Sequence, residues 1–538
     1  MSRREGVARS NSCSPAPGVS WKDIPRDISL EELARSLVSR RWRDQHNLRL
    51  TAPERKLVAH SVLREQRRWP RPPEDGGGPA VDVFLLDNAL LFVKENVRDG
   101  VFELYKPPIP LDLLLMPPDT QPETPSKQGT PVTFVHRGRG AGGASFTLFA
   151  RSAAERSALL DTVTSQQARV WNARATFRLV RVADGFFGQS ARCAVPLEGG
   201  TRVLVAAADG IYSYGGDVVP GEPARGRPAK VLAVEGVTFI DVSEERRLLF
   251  TLSNHCVTAF PLDALSAAEP IVPHRRAQIV SNMASFFQLG TAMGRVVLAV
   301  VRSRPLNSHV KLFEVVDPAA LQRSHNRKIS VSVGPEDPLV ESPDMALRPF
   351  KRIEHPLEIT WIRLGQSKLC VSCARGISVV DIETLVTQDV IDPIYAPATP
   401  LAHAGRALAM FRIDDEFLLC YETLAFYINT AGGPPDKQHV VIYWEGEPSA
   451  FALRAPYIFA FSSSFVEVRH VSTGELVQTL HGAHMRCLTP AGAASIGDTA
   501  PPPYSAAPGL ADPVAEEPLL VNANDDVMLL QPIISPPA

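Results

Sequence analysis

Residues 368–390 read KLCVSCARGISVVDIETLVTQDV. Two apolar runs, LCVSCA and ISVVDI, meet at Arg375-Gly376, a pair suited to a tight turn because glycine accepts the positive φ such turns need. The same design returns at FLLCYETLAFYIN (417–429), turning on Glu422-Thr423, and at YIFAFSSSFVEVRHV (457–471), turning on Ser463-Ser464. Upstream, TRVLVAAADG (201–210) ends on Asp209-Gly210, and RLLFTLSNHCVTAF (247–260) turns on Ser253-Asn254. The spacings are 44 residues from Gly210 to Asn254, 47 from Gly376 to Thr423 and 41 from Thr423 to Ser464. A period of ~40–45 residues of short strands, with little helical periodicity for roughly 300 residues after Phe177, predicts the blades of a β-propeller.

Between Asn254 and Arg375 there is room for one further hairpin, near Arg304–Ser308, and a polar insertion at 318–347. Spacing alone therefore gives about six blades, and a seventh needs strands from both ends of the region. From Pro490 onward, ten prolines in 49 residues predict a loose tail, with VMLLQPII (527–534) as a short apolar patch.

The other end of the chain has a different texture. Residues 1–28 are rich in Ser, Arg and Pro and are expected to be disordered. Ser29-Leu30-Glu31-Glu32 has the form of a capping box, and Leu30, Leu33, Ala34, Leu37 and Val38 follow at helical spacing, predicting a helix from 29 to about 45. LVAHSVLR (57–64), VDVFLLDNALLFVKE (81–95), VFELYKPPIP (101–110), PVTFVHRG (131–138) and ASFTLFA (144–150) read as strands, with Asp87-Asn88 as a turn. Ser152 and Glu155 open a second helix carrying Leu159, Leu160, Val163 and Val170 on one side. The expected divisions are 1–28 as a tail, 29–47 as a helix, 48–172 as a small α+β module, 177–488 as the propeller and 489–538 as a Pro-rich tail.

Composition excludes several classes of function. The 538 residues are 45% hydrophobic and 21% charged, and 56 Lys+Arg against 58 Asp+Glu leave a net charge of -2, which argues against a dedicated nucleic-acid binder. The charge is polarised: through Pro72 there are 16 basic and 8 acidic residues, so that end carries +8 and the remainder -10. Seven scattered cysteines, with no signal-peptide pattern and no run of ~18 apolar residues, predict reduced thiols in an intracellular protein. GRGAGG (138–143) fits a dinucleotide-loop pattern but has strands on both sides, where a pyrophosphate site needs a helix N-terminus; it reads as a hairpin turn. Cys370 and Cys373 lack a second pair, and His481, His484 and Cys487 lack a fourth ligand, so no metal is expected. Asp414-Asp415-Glu416 reads as a solvated turn, and Trp361, Trp444, Phe451, Tyr457 and Phe465 as blade core. No residue set suggests catalysis, and no cofactor is expected.

DVFLLDNALLFVKE (82–95), YKPPIPLDLL (105–114) and FTLFA (146–150) with SALLDTVTSQQ (157–167) resemble the pleckstrin-homology domain of fungal Rho-type guanine nucleotide exchange factors. FRIDDEFLLCYETLAFYIN (411–429), IYWEGEPSAFALRAPYIFAFSSSFVEVRHVSTGELVQ (442–478) and KVLAVEGVTFIDVSEERRLLFTLSNHCVTAFPLDAL (230–265) resemble the citron-homology domain of the same family. The resemblance spans about residues 48–488. It implies a mainly β chain: a pleckstrin-homology barrel with its C-terminal helix, then a seven-bladed propeller. It also implies a partner, a Rho-type small GTPase or its exchange-factor complex, in signalling for cell-wall integrity and actin polarity. The expected location is cytoplasmic, at the inner face of the plasma membrane.

In that family a catalytic Dbl-homology domain precedes the pleckstrin-homology domain. Only about 50 residues stand there in this sequence, so the chain is expected to be regulatory rather than to catalyse exchange, with 29–47 as a remnant. Alternative readings are a vesicle- or vacuole-tethering adaptor and a truncated gene model. For phosphoinositides or other anionic lipids the available cations are Lys56, Arg64, Arg67, Arg68 and Lys94. Against that stand Asp82, two residues before Phe84 where strong binders carry Arg, and Leu159, where the family's helix carries Trp.

Overall fold

The structure is a computed structural model. It describes residues 29–533 apart from 39–47, 67–77, 97–100, 118–128, 139–143, 183–190, 216–227, 263–264, 266–276, 317–346, 436–439 and 491–517. The expected tail 1–28 lies outside the described residues. Two compact units result, Met1–Ala175 and Thr176–Ala538.

In the first unit both predicted capping boxes open helices. Glu32 N donates to Ser29 Oγ at 3.2 Å at the start of α1 (Leu30–Ser36), and Glu155 N to Ser152 Oγ at 3.2 Å at the start of α2 (Ala153–Arg174). The first helix is shorter than its spacing predicts. Leu37 leaves the helical region at φ -77, ψ 119, and Leu37–Val38 (β1) pairs in parallel with Val101–Pro110 (β5). Strand pairing to β5 takes the backbone groups that a longer helix would have bonded internally.

The remaining strands are Leu57–Arg64 (β2), Ala80–Leu86 (β3), Ala89–Asn96 (β4), Leu114–Leu115 (β6), Thr130–His136 (β7) and Ala144–Ala150 (β8). They form one eight-stranded sheet in the order β1-β5-β4-β3-β2-β8-β7-β6. Its central strands are buried on both faces, which explains their continuous apolar runs. Val83, Leu85 and Phe92 pack with Leu159, Val163 and Val170 of α2, whereas Phe84, Leu86 and Leu91 pack with Leu33, Leu37 and Leu48. The hairpin expected around GRGAGG forms, with His136 opposite Ala144; residues 139–143 themselves lie outside the described residues.

The second unit is a ring of seven four-stranded sheets. Blades 1 to 6 occupy residues 193–232, 237–281, 286–355, 359–389, 407–443 and 450–481. Each sequence-predicted turn joins the second and third strands of a blade. In blade 2, for example, Asn254 and His255 take φ of 49° and 63°, the mirror-image turn that matches strand twist. The blades are glued by seven apolar clusters, one per interface. That between blades 2 and 3 joins Phe250 and Val257 to Phe287 and Leu298, and that between blades 7 and 1 joins Leu488, Leu520 and Val527 to Val203 and Val205.

Blade 7 corrects the expectation of a tail at 489–538 and of a propeller ending at 488. Its strands are Arg486–Cys487, Leu519–Ala523, Asp526–Pro532 and, from the other end of the unit, Phe177–Arg181. Leu530 pairs with Leu179 and Pro532 with Phe177, so the ring closes by hydrogen bonds between chain segments about 350 residues apart. Gln478 of blade 6 locks that closure: its Oε1 accepts from Phe177 N at 2.8 Å and its Nε2 donates to Phe177 O at 2.9 Å.

Candidate functional site

Of the five cations proposed for lipid head groups, the described Lys56 and Arg64 do not converge. Lys56 and Arg64 flank opposite ends of β2, and at ~3.3 Å per residue their backbones stand roughly 26 Å apart. Arg67 and Arg68 lie outside the described residues. Arg64 reaches Gly78 O at 3.4 Å, and Lys56 is exposed, its backbone N–H held by Asp87 Oδ1 at 3.0 Å. Lys94 is engaged: its ammonium sits 2.6 Å from Glu65 Oε2 and 4.1 Å from the centroid of the Tyr105 ring. Tyr105 in turn donates to Glu65 Oε1 at 2.6 Å. Asp82, the acid expected to repel phosphate, is 2.8 Å from His60 Nε2, and His60 stacks on Phe84 at 4.4 Å.

Sequence reasoning missed Lys106, whose ammonium lies 5.1 Å from the Tyr105 ring and 5.6 Å from that of Phe146. Its signal was the Tyr105-Lys106 pair itself, read at first only as part of a strand. The result is a local cluster of Glu65, Lys94, Tyr105 and Lys106. Burial opposes ionisation of Glu65, but the hydrogen bonds from Lys94 and Tyr105 outweigh it and hold the carboxyl below its ordinary range. Burial and the Glu65 carboxylate push the Tyr105 phenol well up.

A pH prediction follows. Because the folded value of Glu65 is depressed, its stabilising contribution is present above the unfolded carboxylate value of 4.5 and is lost as pH falls through the lowered folded value. The difference in thermal midpoint between wild type and Glu65→Gln is therefore expected to be larger at neutral pH than in acid. An unchanged difference across that range would contradict the assignment.

In the propeller the other sequence candidates take structural places. Cys370 and Cys373 lie on one strand of blade 4, and burial pushes the Cys370 thiol up to about 11, away from ligating or nucleophilic use. His481 sits at the end of a strand, His484 is 3.1 Å from Asp525, and Cys487 points its thiol to Thr489 O. Among the described residues no three His, Cys, Asp or Glu side chains gather as metal ligands would. Asp414 and Asp415 form an exposed turn, while Glu416 begins the next strand and is buried. Trp444, Phe451 and Phe465 are buried in the blades; Trp361 and Tyr457 are half-buried against them.

Among the described residues, Arg363 and Arg469 are buried in the blades. Arg363 donates to Met410 O at 2.6 Å and lies over the Phe411 ring, linking blade 4 to blade 5. Arg469 pairs with Glu467, with Nε and Nη2 each 2.9 Å from Oε2. The other oxygen of Glu467 accepts the backbone N–H groups of Glu445 and Gly446 at 2.8 Å, tying blade 6 to the segment that leads into it.

The propeller therefore offers a closed ring of seven blades with loops at its two ends. No described helix is long and apolar enough to cross a membrane. This architecture is that of the CNH domain family, and the chain belongs to it: the family model matches residues 199–491, more than half of the sequence.

Beyond the propeller, the chain is homologous to fungal Rho1 exchange factors. It is 29% identical over 480 residues to Rho1 guanine nucleotide exchange factor 1 of Schizosaccharomyces pombe, covering 85% of this chain and 35% of that protein. Similarity to RHO1 GDP-GTP exchange protein 2 of Saccharomyces cerevisiae is 26% over 477 residues, covering 81% and 33%. The chain thus spans about a third of the length of these relatives. Among solved structures, the AfRom2 CNH domain matches with a TM-score of 0.51 at 26% identity, covering 66% of this chain and 99% of that one.

Proposed function

We propose that this chain is a regulatory and scaffolding part of Rho-type GTPase exchange signalling, working by protein contact at the cell cortex rather than by catalysis of its own. The observation that carries the reading is the similarity to Rho1 exchange factors over 85% of the chain. A closed propeller supports such a role physically, because it presents loops from every blade on one scaffold and leaves only short, protected sheet edges. In this reading the GTPase belongs to pathways that maintain the cell wall and actin polarity.

The test uses the full chain as bait for a Rho-type GTPase in its GDP-bound, nucleotide-free and GTP-analogue-bound forms. Retention of the GTPase or of an exchange factor is expected, together with nucleotide release no faster than the intrinsic rate. Recovery of neither protein would sink the reading, and accelerated release would refute its non-catalytic part.

A further inference from the structure

Blade 3 gathers cations that are far apart in the chain. Its second, third and fourth strands are Arg295–Arg302, Ser308–Val315 and Leu347–His355. Register places Arg302 opposite His309, His309 opposite Glu354, and Lys311 opposite Arg352. Directly opposed residues share a face, so Arg302, His309, Lys311 and Arg352 stand together on one side of the sheet. The acid among them, Glu354, lies 3.4 Å from Arg352. His309 Nδ1 is buried with no hydrogen-bond partner among the described residues, and burial together with the fields of Arg352, Arg302 and Lys311 keeps the ring below its usual range. Residues 73–538 carry a net charge of -10, so this concentration of positive charge runs against its surroundings.

The loop between the first two of these strands, residues 303–307, adds an apolar tip. Ser308 closes its base: the hydroxyl accepts from Arg304 N at 2.9 Å and donates to Arg304 O at 3.0 Å. Leu306 projects from it 85% exposed, beside an exposed Arg304. The adjoining turn from blade 2 is fastened to this loop through Ser285, whose hydroxyl accepts from Ser303 N at 2.9 Å, and it carries Met283, 51% exposed.

We propose that this end of blade 3 docks on a bilayer surface rich in anionic phospholipid. Leu306 enters the boundary between head groups and acyl chains, while Arg302, Arg304, Lys311 and Arg352 meet phosphate oxygens. Charge complementarity selects an anionic surface, and the exposed leucine selects a bilayer over a purely polar partner. A single-stranded nucleic acid is disfavoured, since such sites stack bases on aromatic rings and 302–311 contains no Phe, Tyr or Trp.

The experiment is co-sedimentation of the full chain with phosphatidylcholine vesicles, with and without phosphatidylserine. Binding is expected only with phosphatidylserine and is expected to fall with salt. At roughly fivefold per cation, Arg302→Ala with Arg304→Ala lowers partitioning roughly 25-fold. Leu306→Asp removes most binding, and both variants keep the wild-type thermal midpoint because Arg304 and Leu306 are exposed and Arg302 is only half-buried. Lys56→Ala with Arg64→Ala in the first unit retains most binding. Equal binding to both vesicle types overturns the proposal, as does full binding by either blade 3 variant. Competition by inorganic phosphate with Leu306→Asp unaffected also overturns it, since that marks a soluble-anion site. The assay contains no GTPase, so its outcome is separate from that of the GTPase reading.

Discussion

Arg469→Ala in the full chain is expected to destabilise the propeller by about 3–5 kcal/mol, the cost of leaving a buried charge without its partner. Glu467 is 0% exposed and Arg469 is 3% exposed, so no water can replace the lost guanidinium without opening blade 6. Burial already pushes the Glu467 carboxyl up, against the pull of Arg469. Without Arg469 the cheapest response is protonation, so the variant's loss of stability should grow as pH rises above the ordinary carboxylate value of 4.5. Glu467→Gln, which keeps an acceptor for the N–H groups of Glu445 and Gly446, is expected to cost less than Arg469→Ala. Denaturant unfolding of the three proteins at two pH values measures both effects. Equal stability of wild type and Arg469→Ala would show that the pair contributes nothing.

A stop codon after Pro518 is expected to have a larger effect still. It removes the strands Leu519–Ala523 and Asp526–Pro532, and with them the buried Leu519, Leu520, Val521, Val527 and Leu530. At about 1.5–3 kcal/mol per buried side chain these five contribute about 7–15 kcal/mol, comparable to the whole net stability of a typical domain. The truncated chain should lose its cooperative unfolding transition and become sensitive to protease throughout residues 177–488. Removing only 534–538 should change neither property. A truncated protein that unfolds like wild type would mean that six blades suffice.

Those two strands also show where reading the sequence stops. Six blades were legible because each carries a short turn between two apolar runs, spaced 41 to 47 residues apart except on either side of blade 3, where the intervals are longer. LLVNA and DVMLLQP have the same form around Asn524-Asp525, but they follow a proline-rich stretch, and their blade is completed by residues 177–181. No local pattern announces a partner that distant. The end of α1 was hidden for a related reason. Leu37 and Val38 fit helical spacing and strand pairing equally well, and it is β5 that decides between them.

Candidate sites were legible as residue types and not as places. The sequence offers Lys56, Arg64 and Lys94 as cations, but strand length separates the first two and Glu65 occupies the third. Conversely, Arg302, His309, Lys311 and Arg352 draw no attention along the chain because 50 residues separate the first from the last. Only antiparallel register makes them neighbours.

The clasp between Phe177–Arg181 and Asp526–Pro532 has one more consequence. Open solenoids need specialised end repeats, because an outermost unit lacks a neighbour and frays first. A ring has no outermost unit: each blade is flanked on both sides, and fraying has nowhere to begin except at the clasp. Local opening elsewhere must break two apolar interfaces at once, so the loops can vary while the ring beneath them stays shut.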